Sequence, residues 1–111
     1  MKTVSVSPEA IRDMDSIDKY ISVELANPGA AERLVAHLKN AMQSLEFFSE
    51  RGVQVNAYGA SESYRYLICG EYLIFYHVHP ESVHIDRVIN RRTSYLQILL
   101  GRDNEVHDTD L

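Results

Sequence analysis

Apolar residues first alternate, then recur every three to four positions, then alternate again along these 111 residues. The alternation Thr3-Val4-Ser5-Val6-Ser7 predicts a short first strand. Ser7-Pro8-Glu9 then carries the marks of a helix start: a hydroxyl to cap free N–H groups, a proline whose missing N–H costs nothing there, and an acid at the positive end of the dipole. Ile11, Met14, Ile17, Ile21 and Leu25 make its apolar stripe. Asn27-Pro28 repeats the start signal, and Ala31, Leu34, Val35, Leu38, Met42, Leu45 and Phe48 form a second stripe. Arg51-Gly52 reads as its stop, with Gly52 free to take a left-handed conformation. So short a link between the two predicts an antiparallel helical hairpin.

Residues 53–63 read as a loop with at most a few extended residues. Three runs rich in aromatic and β-branched side chains follow, 64–69, 72–78 and 83–89, separated by Gly70-Glu71 and by His79-Pro80-Glu81-Ser82. Runs of that length joined by tight turns predict a three-strand antiparallel meander. The middle run is apolar on both faces, with Tyr72, Ile74, Tyr76 and Val78 on one and Leu73 and Phe75 on the other, as expected of a strand covered on both sides. In the last run Val83, Ile85 and Ile89 point inward, while His84 and Asp86 point outward. Residues 94–100 predict a short C-terminal helix, and 101–111 a polar, mostly acidic tail. The reading is an α+β fold with one domain over 1–100 and the tail after it.

Composition narrows the function classes. With 45% hydrophobic and 24% charged residues the chain is globular. No stretch nears the roughly 20 apolar residues of a membrane span, and the first residues lack the apolar run of a signal peptide. The one cysteine, Cys69, cannot form an internal disulfide, so a reducing cytoplasm is the expected compartment and no membrane partner is expected. The net charge of −5 argues against general nucleic-acid binding. From Arg51 onward, however, every full positive charge is an arginine, which favours directed hydrogen bonds over a diffuse field.

Arg87 stands in phase with Val83, Ile85 and Ile89, and a buried guanidinium needs an acid. Asp13 or Glu24 is the expected partner in a structural ion pair. Arg65, at a strand start, is either structural or part of a site. Arg91 and Arg92, where the last strand hands over to the helix, are not needed to build a sheet. Side chains at consecutive extended positions diverge, so one of the two faces a site while the other is solvated. His77, His79 and His84 have a metal-like spacing, but Pro80 ends the strand and no acid or thiol cluster joins them, so no metal and no cofactor are expected. Cys69 lacks a neighbouring base and reads as a small core residue.

Taken together, Ser7-Pro8-Glu9-Ala10 with Asp13, Ile17 and Tyr20-Ile21, then Tyr64-Arg65, Glu71-Tyr72-Leu73-Ile74-Phe75-Tyr76, residues 85–92 and Tyr95-Leu96 resemble the RelE/ParE superfamily of bacterial type II toxins over about residues 2–100. The resemblance implies a growth-arresting toxin neutralised by a cognate antitoxin in a hetero-oligomer. Two activities occur under it. The RelE-like branch cuts messenger RNA in the ribosome, and here Arg65, Arg91, Arg92, Tyr95 and His84 would form the catalytic set. The ParE-like branch binds DNA gyrase, and here Arg91, Arg92 and Tyr95 would touch the target. Cleavage at a 2′-hydroxyl needs proton transfer and cations around the phosphate. The lysines that RelE-like enzymes carry before the second strand are missing from Val53-Gln54-Val55-Asn56-Ala57-Tyr58-Gly59, and the whole chain is acidic. The ParE-like branch is the favoured expectation, and a family member that only binds its antitoxin is the third.

Overall fold

The computed structural model describes residues 1–55 and 63–92. Its element order is β1 (Thr3–Val6), α1 (Pro8–Lys19), a π-helical turn (Tyr20–Glu24), α2 (Pro28–Gln43), a 3-10 turn (Ser44–Glu46), β2 (Val53–Gln54), β3 (Tyr64–Cys69), β4 (Tyr72–Val78) and β5 (Ser82–Asn90). The expected short C-terminal helix and the tail lie outside the described residues.

Both helix starts use the side chains the sequence marks. The Ser7 hydroxyl accepts from the Ala10 N–H, and the Asn27 carboxamide accepts from the Ala30 N–H. The ends differ from expectation. α1 loosens into the π-turn before the hairpin bend, where Ala26 takes a φ of 50°. α2 ends well before Gly52, and Gly52 has no positive φ. Glycine is required at position 52 for space: a Cβ there would collide with the Tyr76 hydroxyl and the Tyr66 carbonyl. Gly70 alone among the described glycines has a positive φ, 61°, which closes the β3–β4 turn.

The described strands form one five-stranded sheet in the order β1-β5-β4-β3-β2. β3, β4 and β5 are the expected meander, β1 pairs parallel with β5, and β2 adds a fifth strand inside the segment read as loop. The helices cover one face, where Ala10, Ile17, Leu38, Met42 and Leu45 pack on Leu67, Ile74, Tyr76, Val83, Ile85 and Val88. On the other face Leu73, Phe75 and Ile89 form a second, smaller cluster with Tyr64 and Tyr66. Two stripe positions fall outside the core: Ile11 is 50% exposed and Phe48 is 65% exposed. No helix among the described residues is long and apolar enough to cross a membrane.

The expected alternation of β5 fails at one point. Phe75 pairs with Arg87 but Tyr76 pairs with Ile85, so Asp86 is an extra residue, a β-bulge. The bulge resets the phase. Val83 and Ile85 face the helices before it, and Val88 does so after it, while Ile89 joins the opposite cluster. Arg87 is therefore not in register with Val83 and Ile85, as strict alternation predicts. α1 clasps this point. The Ser7 N–H and hydroxyl donate to the Ile85 and Asp86 carbonyls (2.9 and 2.7 Å), while Asp13 accepts from the Val88 N–H at 2.8 Å and from the Arg87 guanidinium at 2.8 and 3.0 Å. Of the two acids expected to meet Arg87, the partner is Asp13. This fork–fork geometry raises the Arg87 pKa further, chiefly through the hydrogen bonds to Asp13.

Two substitutions test this framework. Asp13→Ala leaves the Val88 N–H and the Arg87 guanidinium without their acceptor and is expected to cost about 2–3 kcal/mol in urea unfolding. Tyr76→Phe removes the hydroxyl that donates to the Ser49 carbonyl (2.9 Å) and accepts from the Gly52 N–H (3.0 Å). Those groups are buried, so a loss of about 1–3 kcal/mol is expected.

Candidate functional site

β5 ends at the arginine corner. The Asn90 side chain accepts from the Arg92 N–H at 2.8 Å, which turns the chain, and the Arg91 N–H donates to the Glu71 carbonyl at 2.8 Å. Arg91 also donates from its guanidinium to the Gly70 carbonyl at 3.3 Å. Arg91 is thus tied to the β3–β4 turn by backbone and side chain. Arg92 projects, with its side chain 85% exposed and only a 4.0 Å approach to Glu71. An exposed pair at that separation holds a side chain weakly, so the Arg92 guanidinium remains available to a partner. Tyr95 lies outside the described residues.

A second polar group occupies the opposite end of the sheet, on the face away from the helices. Tyr64, His77 and His84 are cross-strand neighbours on β3, β4 and β5. The Tyr64 ring stacks on His77 at 4.2 Å, His77 Nδ1 lies 2.8 Å from Asp86, and His84 Nδ1 lies 3.0 Å from the Ser5 hydroxyl. His84 Nε2 is 3.7 Å from Asp86, too long for a hydrogen bond. The bulge is what turns Asp86 toward these rings, and no alternation count could have placed it there. Their strand pairing, by contrast, was open to a register argument. Burial, reinforced by the Asp86 charge, pushes the Tyr64 phenol up to about 12, so it stays protonated near neutrality. Among the described residues no three His, Cys, Asp or Glu side chains are grouped to hold a metal ion.

Arg65 is engaged elsewhere. Its guanidinium donates to the Glu50 and Gly52 carbonyls at 3.2 and 2.9 Å and ties β3 to the segment that follows α2. Cys69 is buried, and desolvation pushes its thiol above the usual range, which suits a packing residue and not a nucleophile. The residues grouped for phosphodiester chemistry are consequently split. Arg65 and His84 lie at the end of the sheet that holds Tyr64, whereas Arg91 and Arg92 lie beside Gly70. At about 3.3 Å per extended residue, Arg65 and the Gly70 turn are roughly 15 Å apart along β3, and His84 and Arg91 more than about 20 Å apart along β5.

Comparison with known proteins agrees with this architecture. The family model described as "ParE toxin of type II toxin-antitoxin system, parDE" matches residues 4–95. A solved structure titled "Chromosomal ParDE TA system from P. aeruginosa" superposes with a TM-score of 0.67 over 81% of this chain and 96% of that one. Their sequences are 18% identical, so the likeness is one of fold. No curated protein matches the sequence significantly.

The buried phenol gives a pH signature. Its pKa is raised on folding from 10.0 to about 12. Folding thus favours the neutral form, and that contribution is complete below pH 10 and is lost as pH rises through about 12. Tyr64→Phe is expected to flatten the alkaline decline of stability, and ultraviolet titration of the folded variant should lack the last tyrosine to ionise.

Proposed function

The chain belongs to the ParE toxin family of type II toxin–antitoxin systems, and on that premise we propose that it arrests bacterial growth in the cytoplasm by binding DNA gyrase. A cognate antitoxin would hold it inactive in a hetero-oligomeric complex. The target surface in this reading is the corner formed by Arg91 and Arg92, extended by Tyr95. The observation that carries it is the division of labour at that corner. Arg91 anchors the strand end to the Gly70 turn, and Arg92 is left to offer a rigidly based, exposed fork of donors. A planar guanidinium on a fixed base suits bidentate recognition of a carboxylate on a protein surface.

Phosphodiester cleavage asks for a different arrangement. The attacking hydroxyl, the phosphate and the leaving oxygen lie within a few ångströms of one another, so their catalytic groups must converge. Arg65 donates to backbone carbonyls, His84 pairs with Ser5, and both are remote from Arg91 and Arg92. An acidic chain is also poorly suited to docking on ribosomal RNA. Inhibition by binding alone makes neither demand.

The decisive measurement is supercoiling by purified gyrase with and without the toxin, alongside mapping of transcript ends in cells that express it. Inhibited supercoiling without new message ends is expected. Ribosome-dependent cuts would overturn the reading, and growth with neither effect would leave an antitoxin-binding protein without toxicity. The Arg91→Ala/Arg92→Ala variant is expected to need at least about tenfold more protein for the same inhibition, as for loss of a central charged anchor. Its melting curve should stay close to that of the parent, because the arginine–acid pair it removes is exposed.

A further inference from the structure

The arginine corner leaves a second surface unexplained. Between α1, α2 and β1 runs a groove of about 600 Å³ whose apolar floor includes Val4, Val6, Met14 and Met42. Ile11 stands on its wall, half exposed although the helix has polar positions to spare. The polar lining is of one dominant sign: Asp15, Asp18 and Glu46 against Lys39. A second hollow of about 500 Å³ shares Asp18, Val35 and Lys39 with it and adds Glu32, so the acidic track continues along the hairpin. β1 is an edge strand, and it hydrogen-bonds to its neighbour through Thr3 and Ser7. In a parallel ladder the backbone groups of the intervening Val4 and Val6 face the free edge.

We propose that this groove seats the antitoxin, and that it selects a segment carrying apolar side chains for the floor and arginine or lysine side chains for the acidic rim. The proposal rests on the toxin–antitoxin reading above. Charge decides between possible occupants. A second copy placed groove to groove would set carboxylates against carboxylates, and nucleic acid would set phosphates there, both repulsive. A cationic amphipathic segment gains from floor and rim together, and an extended stretch of it can pair with the open edge of β1.

The test uses the full-length toxin and the antitoxin translated from the adjoining reading frame, titrated calorimetrically at low and high salt. Tight binding that weakens as salt rises is expected. Asp15→Lys/Asp18→Lys should weaken it at least tenfold and flatten the salt dependence. Ile11→Ser should weaken it with the salt dependence kept, and Glu24→Lys, at the hairpin bend outside the groove, should bind as the parent does. Circular dichroism of each variant checks that it is folded. Parent-like affinity and salt slope in the Asp15→Lys/Asp18→Lys variant would overturn the proposal. So would no binding by the parent, amide protection on the sheet's outer face alone, or a toxin homodimer dissolved by the same substitutions. The gyrase reading fails or stands separately, because the free Asp15→Lys/Asp18→Lys toxin is expected to inhibit supercoiling as the parent does while escaping the antitoxin.

Discussion

The clasp of α1 on the β5 bulge is the constraint from which the rest of the molecule takes its geometry. An extra residue in a strand breaks the ladder and leaves backbone groups to be satisfied by other means. Ser7 and Asp13 supply those means from one helix, by donating to the Ile85 and Asp86 carbonyls and accepting from the Val88 N–H. The same two residues fix where α1 begins and how it lies over the sheet. Ser7 is simultaneously the helix cap, so one side chain joins the start of α1 to the point where β1 stops pairing with β5.

The bulge also creates the two faces of the sheet. Because it shifts the phase by one, both Ile85 and Val88 enter the helix-side core, and Asp86 and Arg87 are released from it. Asp86 turns to the histidines and Arg87 returns to Asp13. Polar chemistry on β5 is therefore concentrated at two places: the histidine group near its start and the arginines at its end. The nine residues of β5 keep these apart, which is why a residue set that looks adjacent in function need not be adjacent in space.

Charge is divided in the same manner. The described arginines beyond α2 are tied down or directed, with Arg65 on backbone carbonyls, Arg87 on Asp13 and Arg91 on Gly70, and Arg92 projecting. The acids of the helical hairpin instead line an open groove. A small protein that must engage a target and an inhibitor needs separable surfaces, and opposite charge makes them selective for different partners.

Local chemistry alone determined the helix starts, because Ser7-Pro8 and Asn27-Pro28 satisfy or remove the orphan N–H groups within a few residues. It likewise determined the meander and the two-faced burial of β4, since period-two apolar patterning needs no distant partner to be read. That Arg87 would seek an acid followed from the cost of a lone guanidinium. Tertiary structure alone decided the remainder. Val53–Gln54 is a strand only because the start of β3 offers a free edge, and Gly52 is glycine only because the Tyr76 hydroxyl stands where its Cβ would be. The phase of Arg87, the aim of Asp86 and the separation of Arg65 from Arg91 all depend on one inserted residue in a pairing register. Register is a relation between strands, and no single segment carries it.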